Sequence, residues 1–97
     1  MKETTVGVVI PYFNGSRWIE RALDSVYRQT RLPDEVIIVN DGSSPGETAF
    51  IEELVATFDI KLLSQKNKGQ SSARNLGVSA SKSDYICLLD QLSLIHI

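Results

Sequence analysis

Ninety-seven residues, 42% of them hydrophobic and 23% charged, suffice for one small domain with enough apolar surface to offset the entropy of ordering. A formal net charge of −2 gives no electrostatic basis for sequence-independent binding to nucleic acid or to an anionic membrane, so no nucleic-acid partner is expected. The single cysteine, Cys87, excludes an intrachain disulfide framework, and the single histidine, His96, leaves no His-based triad or multi-histidine metal site. The longest apolar runs fall far short of the roughly 18 residues of a membrane span, and the N-terminus lacks a signal-peptide core. A cytoplasmic, reducing setting is therefore expected, with membrane association of a longer parent left open.

Val6, Val8, Val9 and Ile10 predict a first strand over 6–10, ended by Pro11, which has no N–H for a ladder. Trp18, Ile19, Ala22, Leu23, Val26 and Tyr27 then form one stripe of an amphipathic helix, with Arg17, Arg21, Asp24 and Arg28 on its wet side. Asn14 or Ser16 can cap it, and Arg31, Leu32 and Pro33 close it. A second strand over 35–40 has four consecutive apolar residues, the pattern of a strand buried on both faces. Ser44, Pro45 and Glu47 predict N-cap, N1 and N3 of a capping box, followed by a helix with Phe50, Ile51, Leu54, Val55 and Phe58 on one face. A short third strand over 60–64 and a small-residue helix over 69–80 come next, the helix turning Ala73, Leu76, Gly77 and Ala80 inward. A fourth strand over 84–90 carries Cys87 as a small buried residue.

This β-α-β-α-β-α-β order with apolar strands predicts an α/β three-layer sandwich on a mainly parallel sheet with right-handed crossovers. Ligands of such sheets bind beyond the carboxyl ends of the strands. Asn14, Gly15, Asn40, Asp41, Gly42, Asn67 and Gly69 collect there. Asp41 can accept from N–H or O–H donors of a ligand, or serve as turn chemistry that caps backbone. Tyr12 can stack on a flat ring or cover the sheet end. The segment 67–75 places Gly69 and small polar groups at a helix N-terminus, which favours anions, and Arg74 is either a bidentate phosphate donor or part of a solvated helix face. Asp90 ends an apolar strand, so it is solvated, paired or beside a metal. The spacings of a Gly-x-Gly-x-x-Gly loop and of a P-loop are both absent.

Together the runs 6–14, 25–30, 35–44, 67–77 and 84–90 resemble the N-terminal half of family 2 glycosyltransferases, inverting enzymes whose GT-A fold has a Rossmann-like half. The resemblance covers about residues 5–90 and rests on five segments in order rather than on any one. It implies a nucleotide-diphosphate sugar donor, typically a UDP-sugar, and a carbohydrate or lipid-linked acceptor, in polysaccharide or glycoconjugate synthesis. Pro11, Tyr12 and Asn14 would line the base and ribose pocket, and Asp41 would accept from the base. Asn40 stands where the family often has a second Asp. The segment 67–75, with Gly69, would lie along the donor, Arg74 would either be near the diphosphate or brace the site, and Asp90 would open the Asp-x-Asp motif that holds Mg²⁺ or Mn²⁺ on the diphosphate.

The sequence departs from that pattern at Leu92, where the second metal-ligating carboxylate is expected. Residues 92–97 resemble translated vector or adapter sequence, so the native part is expected to be 1–91, cut at the metal site. Metal binding by this chain is expected to be weak or absent, and His96 is not the acceptor's base. The base belongs to the part of the family that follows, so turnover by this chain alone is not expected. Two other readings compete: a nucleotide-diphosphate-binding module without turnover, and an incomplete domain that pairs with another copy through an exposed sheet edge.

Overall fold

The computed structural model describes residues 4–89, and the expectations placed on Asp90 and on 92–97 fall outside them. The elements are β1 (Val6–Tyr12), α1 (Ser16–Tyr27), β2 (Glu35–Asp41), α2 (Pro45–Val55), β3 (Lys61–Gln65), α3 (Gln70–Ala80) and β4 (Tyr85–Leu88). All pairings are parallel, in the order β3-β2-β1-β4. The α/β three-layer sandwich expected from the sequence is the one observed.

Alternation along the two central strands divides the core. Val8, Ile10 and Tyr12 of β1 and Val36 and Ile38 of β2 face one side, against Ile19, Ala22, Leu23 and Val26 of α1 and Ile51 of α2. Val9, Ile37 and Val39 face the other side, against Ala73, Leu76 and Ala80 of α3. Gly77 brings α3 close to the sheet: a Cβ there would collide with a Val9 methyl and sit 3.2 Å from Val39 Cγ2. Phe58, expected on the inner face of α2, lies past the helix end and stacks on Tyr27 with ring centroids 5.5 Å apart.

Four local expectations are corrected. β1 runs through Pro11, which is in register with Val39. The β1–β4 pairing stops instead: Leu89 N–H donates to Val9 O, and the next donor on that side of β1 would be the missing N–H of Pro11. Neither Asn14 nor Ser16 caps α1, whose N-cap is Gly15. The capping box of α2 does not close, although Ser44 is the N-cap and Pro45 follows it. Glu47 turns away to α1, where its carboxylate accepts from Ser16 N–H at 3.0 Å and Ser16 Oγ at 2.7 Å. A carboxylate at the positive end of α1 is favourable, and one acceptor there satisfies two donors. Cys87 is exposed rather than buried, because β4 is an edge strand with little packed over it among the described residues; Tyr85 beside it is 67% exposed.

Candidate functional site

The carboxyl ends of β1, β2 and β3 lie side by side, with Tyr12 in register with Asn40 and Asp41 with Gln65. Their loops are laced together by side chains. In the β1–α1 loop, Asn14 takes a left-handed conformation (φ 47°) that Asn tolerates better than most residues. Its N–H donates to Ser43 Oγ at 3.0 Å, and its Oδ1 accepts from Ser44 N–H at 2.9 Å. This pair ties the first loop to the second.

Asp41 ties the second loop to the third. It is 4% exposed, and its carboxylate accepts three hydrogen bonds: Gln65 Nε2 at 2.8 Å and Lys68 N–H at 2.8 Å on Oδ1, and Gly69 N–H at 3.0 Å on Oδ2. A carboxylate has about four lone-pair positions, so one is left, on Oδ2. Of the two readings open for Asp41, backbone capping is realised, though on the β3–α3 loop rather than on its own turn. Gly42 permits the approach: its φ is 69°, and a Cβ there would sit 2.6 Å from Asn67 N. The neighbouring Asn40 points to the opposite side, donating from Nδ2 to Thr48 Oγ1 at 3.0 Å and accepting from Ser43 N–H at 3.1 Å. Its amide both gives and takes, which a carboxylate would not do.

Tyr12 and Pro11 are buried. The Tyr12 hydroxyl lies 3.0 Å from Glu47 Oε1 and 3.1 Å from Glu47 O, so the ring covers the sheet end from within the α1–α2 core. Burial first, then the hydrogen bond and charge of Glu47, push its phenol well above the usual tyrosine range. Glu47 itself is held below its ordinary value, chiefly by the Ser16 hydroxyl and then by the Ser16 N–H. The exposed aromatic at this end is Phe13, 50% accessible, which follows Tyr12 directly. Gly69 joins the site through its N–H to Asp41. Arg74, one turn into α3, is half-buried; its Nε is shielded from solvent and has no hydrogen-bond partner. The structure thus brings Asn14, Asp41 and Gly69 to one sheet end, in two bonded sets joined through residues 41–44, and leaves Tyr12 on the core side of the sheet. Ser43, Gln65 and Lys68 complete these contacts; the sequence places them in the strand-end segments 40–44 and 65–69 but assigns none of them a site role of its own. The period-2 register of β2 against β3 would have pointed to Gln65.

Among the described residues no group of three His, Cys, Asp or Glu side chains could hold a metal ion. Asp90 and Leu92, on which the expectation of weak or absent metal binding turns, lie outside the described residues. The described residues by themselves make no site for a divalent cation. No helix among the described residues is long and apolar enough to cross a membrane.

Comparison with known proteins follows the same lines. The glycosyl transferase family 2 model matches residues 7–91. The chain is 40% identical over 87 residues to the uncharacterized glycosyltransferase EpsJ of Bacillus subtilis, covering 88% of this chain and 25% of that protein. It is 37% identical over 90 residues to an uncharacterized glycosyltransferase of Rickettsia bellii, covering 93% of this chain and 13% of that one. The chain therefore spans a quarter or less of the length of these two relatives. Among solved structures, the mannosyltransferase PcManGT from Pyrobaculum calidifontis, in complex with GDP-Man and Mn²⁺, has a TM-score of 0.79 at 23% identity, over 93% of this chain and 28% of that one. TarS of S. aureus has a TM-score of 0.74 at 22% identity, over 90% of this chain and 16% of that one. At such identities these two show a common fold, a GT-A-type Rossmann-like half. By the family match over most of its length, the chain belongs to glycosyl transferase family 2.

Proposed function

We propose that the chain is the donor-binding part of an inverting glycosyltransferase that uses a nucleotide-diphosphate sugar, with UDP as the nucleotide. The observation that carries this reading is the network Asn14–Ser43/Ser44 and Asp41–Gln65/Lys68/Gly69, which fixes three loops at the strand ends where α/β sheets bind ligands. Phe13 offers an exposed aromatic face beside Asn14 for a base, and the remaining Oδ2 position of Asp41 accepts one donor from it, while Tyr12, turned into the core, supports the sheet end without lining the pocket. Gly69 and the N-terminus of α3, with Arg74, face the diphosphate.

In the longer parent, the acceptor hydroxyl oxygen attacks the anomeric carbon as the bond to the nucleotide diphosphate breaks. The hydroxyl proton passes to a carboxylate base outside this chain, and the configuration inverts. The acceptor is a carbohydrate or a lipid-linked glycan, and the donor-binding part lies in the cytoplasm. In this reading the described residues bind and orient the nucleotide, and turnover is the work of the longer parent.

Calorimetry with UDP, with and without Mn²⁺, tests this reading. Weak binding with little metal enhancement is expected; strong Mn²⁺ dependence would show that other ligands replace the missing Asp. Absence of UDP binding by a folded sample would remove the reading. A longer protein carrying the downstream region transfers or hydrolyses sugar from a nucleotide donor, and failure with every nucleotide donor would count against the enzyme. A second reading rests on β4, where Tyr85, Cys87 and Leu88 are exposed on an edge strand: pairing of two copies, seen as concentration-dependent sedimentation.

A further inference from the structure

Gln65 stands at the end of β3, in register with Asp41, and is half-buried. Its side-chain orientation is fixed by chemistry, since only the NH₂ end can donate to a carboxylate. Nε2 donates to Asp41 Oδ1 at 2.8 Å, and Oε1 faces outward to α3, where Ser72 Oγ lies at a long 3.5 Å. Lys68 N–H already occupies the second position on Oδ1, and Gly69 N–H takes one of the two on Oδ2. Without Gln65, each oxygen would have one free lone pair. With it, Oδ1 is saturated and only Oδ2 can accept.

We infer that Gln65 is a specificity-setting positioning residue: by filling Asp41 Oδ1 it leaves the carboxylate one acceptor position and so selects a base edge that presents one N–H over an edge that presents two. Uracil presents a single N3–H between two carbonyl oxygens. Guanine presents N1–H and N2–H side by side, a pair suited to both oxygens of one carboxylate. At a saturated Oδ1 a guanine N–H would be left without a partner, and an unmet buried donor is the kind of mismatch that discriminates ligands strongly. The inference rests on the nucleotide-binding reading above and adds to it the residue that chooses between bases.

The test is a titration of the ¹⁵N-labelled chain with UDP and with GDP, for the wild type and for Gln65→Met, which keeps the length and removes the donor. The wild type is expected to bind UDP about tenfold tighter than GDP, the effect of one mismatched charged hydrogen bond. In Gln65→Met the ratio is expected to fall to about threefold or less, with the Gly69 amide still protected from exchange. Gln65→Ala serves as the second variant should the methionine prevent folding. A merely structural role for Gln65 would weaken both nucleotides by the same factor; an unchanged ratio in the folded variants overturns the inference. Equal binding of UDP and GDP by the wild type overturns it while leaving the nucleotide site standing. Failure of the wild type to bind either nucleotide overturns the nucleotide reading and the inference with it.

Discussion

Asp41→Ala removes the carboxylate that joins the second and third strand-end loops. Three donors lose their acceptor: Gln65 Nε2, Lys68 N–H and Gly69 N–H. A hydrogen bond to a charged group contributes about 1.5–3 kcal/mol. Lys68 and Gly69 are exposed, so water can reach their amides once the acceptor is gone, and about 1 kcal/mol for each bond is the better figure. The expected loss is about 3 kcal/mol, a large share of the roughly 5–15 kcal/mol of a small domain. Asp41→Asn should lose about half as much, because its amide oxygen still accepts from two donors while its NH₂ opposes a third. Urea unfolding followed by circular dichroism gives both values, and hydrogen exchange locates them: Lys68 and Gly69 should exchange much faster in Asp41→Ala. If Asp41→Ala unfolded at the wild-type urea concentration and left Gly69 exchange unchanged, the loop-tying role would be wrong.

Glu47 is held below its ordinary value of 4.5 by Ser16, so its bonds stabilise the fold above that pH and are lost as pH falls through its lower folded value. Glu47→Gln should therefore flatten the fall in stability on acidification below about pH 4.5, measured by urea midpoints at a series of pH values. Glu35, lowered by Ser81 first and then by Ser83 and Lys82 N–H, supplies acid sensitivity of the same sign that survives that substitution. Two glycines should respond oppositely to alanine. Gly46 in α2 has open space around it, so Gly46→Ala should stabilise by about 0.5–1 kcal/mol, whereas Gly77→Ala forces α3 off Val9 and Val39 and should destabilise by about 1–2 kcal/mol, both read from thermal or urea melts. Arg74→Met removes a shielded Nε that has no partner; folding stability should stay level or rise by about 1 kcal/mol while UDP affinity drops severalfold in calorimetry.

The order of elements was legible because each strand and helix carries its own period, and the parallel sheet followed from their alternation. The ends of elements were less so. Pro11 looks like a stop because a proline cannot donate, but the side of β1 on which its nitrogen lies pairs only as far as Val9 O, so the strand continues against β2. The Ser44–Glu47 spacing fits a capping box, yet local spacing cannot show that Ser16, some thirty residues earlier in sequence, offers Glu47 two donors. Tyr12 was legible as a sheet-end residue but not its direction, which the alternation with Ile10 fixes toward α1 and α2. In the site, Asn14 and Asp41 were visible as residue types suited to recognition. What each holds in this fold is the next loop along, Asn14 the second and Asp41 the third, and that depends on the β1–β2 and β2–β3 registers that no single segment encodes.

The proposed function stands or falls with a nucleotide-binding surface on the laced strand-end loops. Amide shift mapping of the ¹⁵N-labelled chain with UDP tests it most directly. Saturable shifts concentrated at Phe13, Asn14, Gly42, Ser43, Lys68, Gly69 and Arg74, with the opposite sheet end around Asp34 and Asp84 unmoved, are predicted. Shifts spread along the α1–α2 face, or no saturable shift at the loops of a folded sample, would contradict it.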